Sequence, residues 1–99
     1  MKLGDAACCL ESLGNDTRLS IFRTLVRSGP QGLPVGQLQT RLKIPGSTLS
    51  HHISRLVQHN LVSQCREGRV LRCTANYARM NQLLNFLTKE CCVEAGGCN

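Results

Sequence analysis

The sequence has no tryptophan, one tyrosine and two phenylalanines. Proteins that grip single-stranded RNA stack its bases on aromatic rings, so this scarcity disfavours that mode. No apolar run approaches the length of a membrane span. An export signal is not expected either, because Met1 to Gly14 carries Asp5 and Glu11 where an apolar core would be needed. Nucleophile, acid and base never cluster, and no phosphate-cradling glycine loop follows a strand, so an enzyme is not expected. Acidic residues are few: six Asp and Glu stand against twelve Lys and Arg, for a formal charge of +6. Between Thr17 and Thr88 the sole carboxylate is Glu67, against ten Arg and Lys. A basic middle with acidic ends suits a polyanion partner.

What is present is enough for one domain, residues 1–99, with about two-fifths of the chain hydrophobic. A core this small is marginal alone, so an oligomer that shares apolar surface is expected. Seven cysteines are many for this length, and their number is odd. Without an export signal they are expected in the cytosol, mostly reduced, as soft-metal ligands or redox groups.

The stretch from Pro45 to Asn60 organises the rest. Leu49, Ile53, Leu56 and Val57 fall at i, i+4, i+7 and i+8, the stripe of an amphipathic helix facing a core. The opposite side carries Ser47, Ser50, His51, Ser54, Arg55 and Gln58, all hydrogen-bonding and none acidic. Such a face can enter a nucleic-acid groove without repelling phosphates. Helices are also expected over Asp5–Leu13, over Thr17–Arg27 with a stripe of Leu19, Phe22, Leu25 and Val26, and over Val35–Leu42 with Pro34 in its first turn. Lys43 to Gly46 is then the tight turn of a helix-turn-helix. After Asn60, Leu61–Arg66 and Arg69–Thr74 read as two strands around Glu67-Gly68. With Arg66 opposite Arg69, Cys65 faces Val70 and Cys73 faces Val62, on opposite sides of the hairpin, so no disulfide joins them. A last helix spans about Asn76–Glu90, with Tyr77, Met80, Leu83, Leu84 and Leu87 on one stripe. The expected fold is mainly α with a small β-hairpin, a winged helix-turn-helix ordered α-α-α-α-β-β-α. Its first and last helices are expected to pair two copies of the chain.

These residues resemble a known pattern. Leu13-Gly14-Asn15-Asp16-Thr17-Arg18-Leu19 is similar to the entry into the second helix of ArsR/SmtB-family metalloregulators. Ser47-Thr48-Leu49-Ser50-His51-His52-Ile53 resembles that family's recognition helix, and Asn60-Leu61-Val62 its lead into the wing. Asp16 stands where proline is often found, and Pro45-Gly46 replaces commoner polar residues. The resemblance implies a homodimeric repressor that binds double-stranded operator DNA and lets go when a toxic metal or metalloid binds. Its arsenite site on the helix before the recognition helix needs cysteines, and Val35–Leu42 has none. Its site on the last helix needs carboxylates and histidines, and Tyr77–Leu87 has neither.

Cys91, Cys92 and Cys98 remain. Trivalent arsenic or antimony prefers three thiolates in a pyramid. Adjacent helical side chains diverge by about 100°, so Cys91 and Cys92 converge only if the helix frays or turns. Gly96-Gly97 would let Cys98 fold back beside them. This arrangement resembles the C-terminal metalloid site of some arsenical-responsive members. Cys8 and Cys9 are either further donors across a dimer or small apolar packing. Ser47, Thr48, Ser50, His51 and Arg55 are the expected DNA contacts of the helix, with Arg66 and Arg69 at the wing tip. His52 is expected to be half-buried, and no histidine pair has zinc-binding spacing. A thiol redox or sulfide sensor of the same fold stays open, as does a soft-metal-binding or protein-interaction module.

Overall fold

The computed structural model describes residues 1–96. In chain order the elements are α1 (Leu3–Leu13), α2 (Asp16–Ser28), β1 (Leu33–Pro34), α3 (Val35–Leu42), α4 (Gly46–Gln58), β2 (Val62–Glu67), β3 (Val70–Ala75) and α5 (Tyr77–Thr88), followed by a short 3-10 turn, Val93–Ala95. This is a mainly helical winged helix-turn-helix with an antiparallel sheet ordered β1-β3-β2. Among the described residues no helix is long and apolar enough to cross a membrane.

Local chemistry sets the boundaries. Asn15 caps α2, its Oδ1 accepting from the Arg18 amide at 3.1 Å, and Asn76 caps α5 in the same way from Arg79 at 3.1 Å. Lys43 ends α3 in the left-handed conformation, φ 54°, and so bends the chain into the turn before α4. Along α4, Leu49, Ile53 and Leu56 are fully or almost fully buried, as the periodicity predicts, and Val57 packs beside them. Ile21, Phe22 and Leu25 from α2, Leu38 from α3, Leu61, Val62 and Cys73 join them in the core, with Ala6 and Cys9 from α1, Leu33, Ala75 and Leu83. Burying each large aliphatic side chain contributes roughly 1.5–3 kcal/mol.

Four expectations need correction. Leu19 is 42 % exposed, and Ile21 takes its place in the core. Pro34 is not in the first turn of α3: it closes β1, a two-residue strand paired to β3 through Leu33–Cys73 and Pro34–Arg72. At the sheet edge a residue without an N–H is tolerated. The helix α5 ends at Thr88 and not Glu90, and of its expected stripe Leu84 and Leu87 are about half exposed. The hairpin register is also shifted by two residues. Glu67 pairs with Val70, Cys65 with Arg72 and Gln64 with Cys73, around the turn Gly68-Arg69. A two-residue hairpin turn of the favoured kind needs positive φ at its first position. Gly68 supplies it at 64°, whereas a Glu67-Gly68 turn would have forced glutamate there. A shift of two keeps every side chain on its face, so Cys73 is buried, Cys65 exposed, and no disulfide joins them.

Polar bonds lock the helices around this core. Arg18 Nε donates to the Ser12 carbonyl at 2.7 Å, and its Nη1 lies 3.3 Å from His52 Nδ1. This joins α1, α2 and α4. Tyr77 Oη donates to the Val26 carbonyl at 2.9 Å, fastening the start of α5 to the end of α2. At the far end of α4 the His59 carbonyl accepts from Arg79 Nε at 3.3 Å, and Cys9 Sγ approaches it at 3.9 Å.

Two tests follow from this packing. A Cβ at Gly32 would fall onto the Cys73 carbonyl oxygen, and its φ is 66°, whereas Gly68 at 64° faces open space. Gly68→Ala should cost about 1–2 kcal/mol in urea denaturation from left-handed strain alone, and Gly32→Ala several times as much. Desolvation holds the His52 pKa below its usual 6.5, helped by the charges of Arg18, His51 and Arg55. The unfolded chain therefore takes up this proton first, so the stability is complete above about pH 6.5 and falls as pH drops through the lower folded value. The urea midpoint should decline as pH falls below about 6.5, and His52→Gln should remove part of that decline.

Candidate nucleic-acid interface

Because α4 buries Leu49, Ile53 and Leu56, its helical geometry turns Ser47, His51, Ser54 and Gln58 outward along one line, all exposed. Ser50 flanks that line on one side, Thr48 and Arg55 on the other. Ser47 and Thr48 belong to the first turn, where unpaired backbone amides attract phosphate oxygens. No carboxylate lies on α4 itself. The rings of His51 and His52 diverge, with centroids 5.9 Å apart and planes at 59°. His51 is exposed, and His52 is half-buried against Arg18 as expected.

Arg55 is less open than its neighbours. Its Nη2 lies 3.5 Å from Glu11 Oε1 on α1, with 37 % of the arginine side chain exposed. Sequence reading missed this pair, because forty-odd residues separate the partners and only the packing of α1 across α4 joins them. On the wing, Arg66 and Arg69 are both exposed and make no ion pair among the described residues. Glu67, the sole carboxylate of the wing, is neutralised by Arg72 Nε at 2.9 Å, and Arg72 also reaches the Gln31 carbonyl at 3.3 Å. The exposed part of the hairpin is thereby left positive beside a polar helix.

The cysteines divide into separate environments. Cys9 is fully buried, whereas Cys8 is exposed, so the core takes one thiol of this pair and the surface the other. Burial pushes the Cys73 thiol up, partly offset by Gln64 Nε2 at 3.6 Å. Beyond α5 the backbone turns left-handed at Glu90, φ 60°, and again at Cys92, φ 58°. That departure from helix brings Cys91 Sγ and Cys92 Sγ to 3.5 Å. Cys98 lies outside the described residues. Among those described, no group of three or more His, Cys, Asp or Glu stands ready to hold a metal ion.

The exposed apolar residues Leu3 and Leu10 on α1 and Leu84 and Leu87 on α5 lie on helices that pack against each other. Such a surface on a small chain invites cover.

Comparison with known proteins agrees with this geometry. The helix-turn-helix domain family matches residues 13–65. An ArsR-like transcriptional regulator from Rhodococcus sp. is similar with a TM-score of 0.76 and 26 % identity, over 87 % of this chain and 78 % of that one. HlyU from Vibrio cholerae is similar with a TM-score of 0.70 and 29 % identity, over 88 % and 97 %. A homodimeric winged helix-turn-helix DNA-binding domain from Mycobacterium bovis shares the fold, with a TM-score of 0.69 and 24 % identity over 89 % and 82 %. No curated protein matches the sequence. With more than half of its length matched and the wing in place, the chain belongs to the helix-turn-helix domain family, in a winged form whose family and fold are those of DNA-binding transcriptional regulators and not of enzymes.

Proposed function

We propose that the chain is an ArsR-type transcriptional repressor, a single domain that binds double-stranded operator DNA as a homodimer and releases it when trivalent arsenic or antimony binds its C-terminal thiolates. The observation that carries the DNA reading is the carboxylate-free, exposed face of α4 beside a wing whose one acid is already paired. In this reading Ser47, Thr48, Ser50, His51 and Arg55 contact bases or phosphate in the major groove. Arg66 and Arg69 follow the backbone at the wing.

Dimerisation is supported by the apolar residues of α1 and α5, by the small core, and by the homodimeric state of the Mycobacterium bovis relative. Two recognition helices about one DNA turn apart would then read a palindromic site. The inducer site would be Cys91, Cys92 and Cys98. For metal–sulfur bonds of about 2.3 Å, two thiolates on one centre lie roughly 3.3–3.8 Å apart, depending on the angle between the bonds. The 3.5 Å separation of Cys91 Sγ and Cys92 Sγ falls within that range and supports a shared soft ion. The same closeness favours a thiol redox or sulfide response as the second reading.

An operator selected from random duplexes, followed by fluorescence anisotropy under reducing conditions, tests both halves. Arsenite or antimonite should weaken binding by roughly 5- to 150-fold, the usual range of such coupling. Cys91→Ser, Cys92→Ser and Cys98→Ser should each keep operator affinity and lose the release. If all three still let go of DNA with arsenite, the tail site is wrong. Release by oxidant or persulfide but not by arsenite would favour the redox reading. Arg66→Gln or Arg69→Gln should weaken binding to all duplexes alike, and should lower the slope of log K against log salt by about 1 for each phosphate no longer neutralised.

A further inference from the structure

Most of the arginines in the basic middle of the chain have a defined place. Arg18 and Arg79 hold backbone carbonyls, Arg72 is paired to Glu67 and Arg55 to Glu11, and Arg69 tips the wing with Arg66 behind it on β2. Arg23, Arg27, Arg41 and Lys43 have none. All four are exposed, and no hydrogen bond or ion pair engages their side chains among the described residues.

They are not scattered. Arg23 and Arg27 stand one turn apart on the outer face of α2, away from Ile21, Phe22 and Leu25. Arg27 and Arg41 line one groove of about 340 Å³ between α2 and the end of α3, together with Thr24, Ser28 and Leu42. Arg23 and Arg27 line a second of about 330 Å³ that shares Thr24 and Arg27 with the first. Lys43 follows α3 directly and begins the turn that delivers the N-terminus of α4. A positive track thus runs from Arg41 through Arg27 to Arg23, with Lys43 two residues beyond Arg41 at the start of the turn into α4. Asp16 closes its far end, since a carboxylate there repels an anion.

The chemistry of the track favours a polyanion that lies along it. The hydroxyls of Thr24 and Ser28 already donate to the Ser20 and Leu25 carbonyls, at 2.8 and 2.7 Å. The available donors are therefore the guanidinium groups, spread along the groove and not converging on one point. A phosphate backbone presents charges at regular intervals to match. Four unpaired like charges side by side repel one another, and an anionic strand relieves that repulsion.

We propose that this track binds the phosphate backbone of the same duplex beyond the segment read by α4. The proposal rests on the DNA-reading function and extends the footprint of each protomer past its half-site. It gives no sequence preference, because guanidinium–phosphate contacts carry none.

The test uses the full-length chain and duplexes that share one operator but differ in flanking length. Wild type should gain at least about tenfold in affinity as the flanks lengthen, and its salt slope should steepen by about 0.9 for each arginine engaged. The triple variant Arg23→Gln, Arg27→Gln, Arg41→Gln should bind the shortest duplex as wild type does and gain nothing from length. All three positions are exposed, so its urea midpoint should be unchanged. Equal gain by the variant, or no gain by wild type, overturns the proposal. An affinity independent of length but competed by inorganic phosphate would assign the groove to a small anion and overturn it too. If wild type binds no duplex of any length, the DNA-reading function itself fails.

Discussion

The burial of Leu49, Ile53 and Leu56 fixes the rotation of α4 about its own axis, and nearly every functional statement about the chain inherits that rotation. With those three side chains in the core, helical geometry leaves Ser47, His51, Ser54 and Gln58 no direction but outward. Turning the helix by one residue would bury polar groups without partners, at a cost of roughly 1–3 kcal/mol each. The bonds around it refine this placement. Arg18 and Glu11 restrain one flank through His52 and Arg55, and Arg79 holds the last carbonyl beyond the helix. The reader is thus a stiff part, held by three other helices.

The apolar stripe of α4 was legible because its period repeats over more than two turns and no tertiary contact is needed to recognise it. The caps Asn15 and Asn76 belong to equally local chemistry. What escaped was the information carried by pairs of distant residues. Strand β1 is two residues long and exists only because β3 lies beside it, so Pro34 read naturally as a helix start. The hairpin register turned on which turn residue accepts positive φ, and Gly68 at the first position decided it. In α5, spacing grouped Leu83, Leu84 and Leu87 together, yet neighbouring residues differ by about 100°, and the core reaches only Leu83.

The candidate site shows the same division. The exposed polar face of α4 followed from periodicity, and the convergence of Cys91 and Cys92 from the end of a helix. The pairing of Glu67 with Arg72 did not, although it changes the electrostatics of the wing: one acid is cancelled by a base that also anchors the hairpin to Gln31. Cys8 and Cys9 are alike in sequence, and only the packing of α1 separates a core thiol from a surface one.

The ion pair between Glu11 and Arg55 bears on the order of events in an encounter with DNA. From farther than a Debye length, about 8–10 Å in ordinary salt, a bound acid and base look like a dipole and exert little pull on an approaching duplex. The long-range field near this face therefore comes from exposed cations that have no such partner, the wing arginines among them. In the proposed DNA-reading function Arg55 would enter only at contact, with a phosphate or base edge replacing the carboxylate 3.5 Å away. In that reading attraction and discrimination would be divided between the wing and the helix: one would hasten arrival, and the other would decide how long the duplex stays.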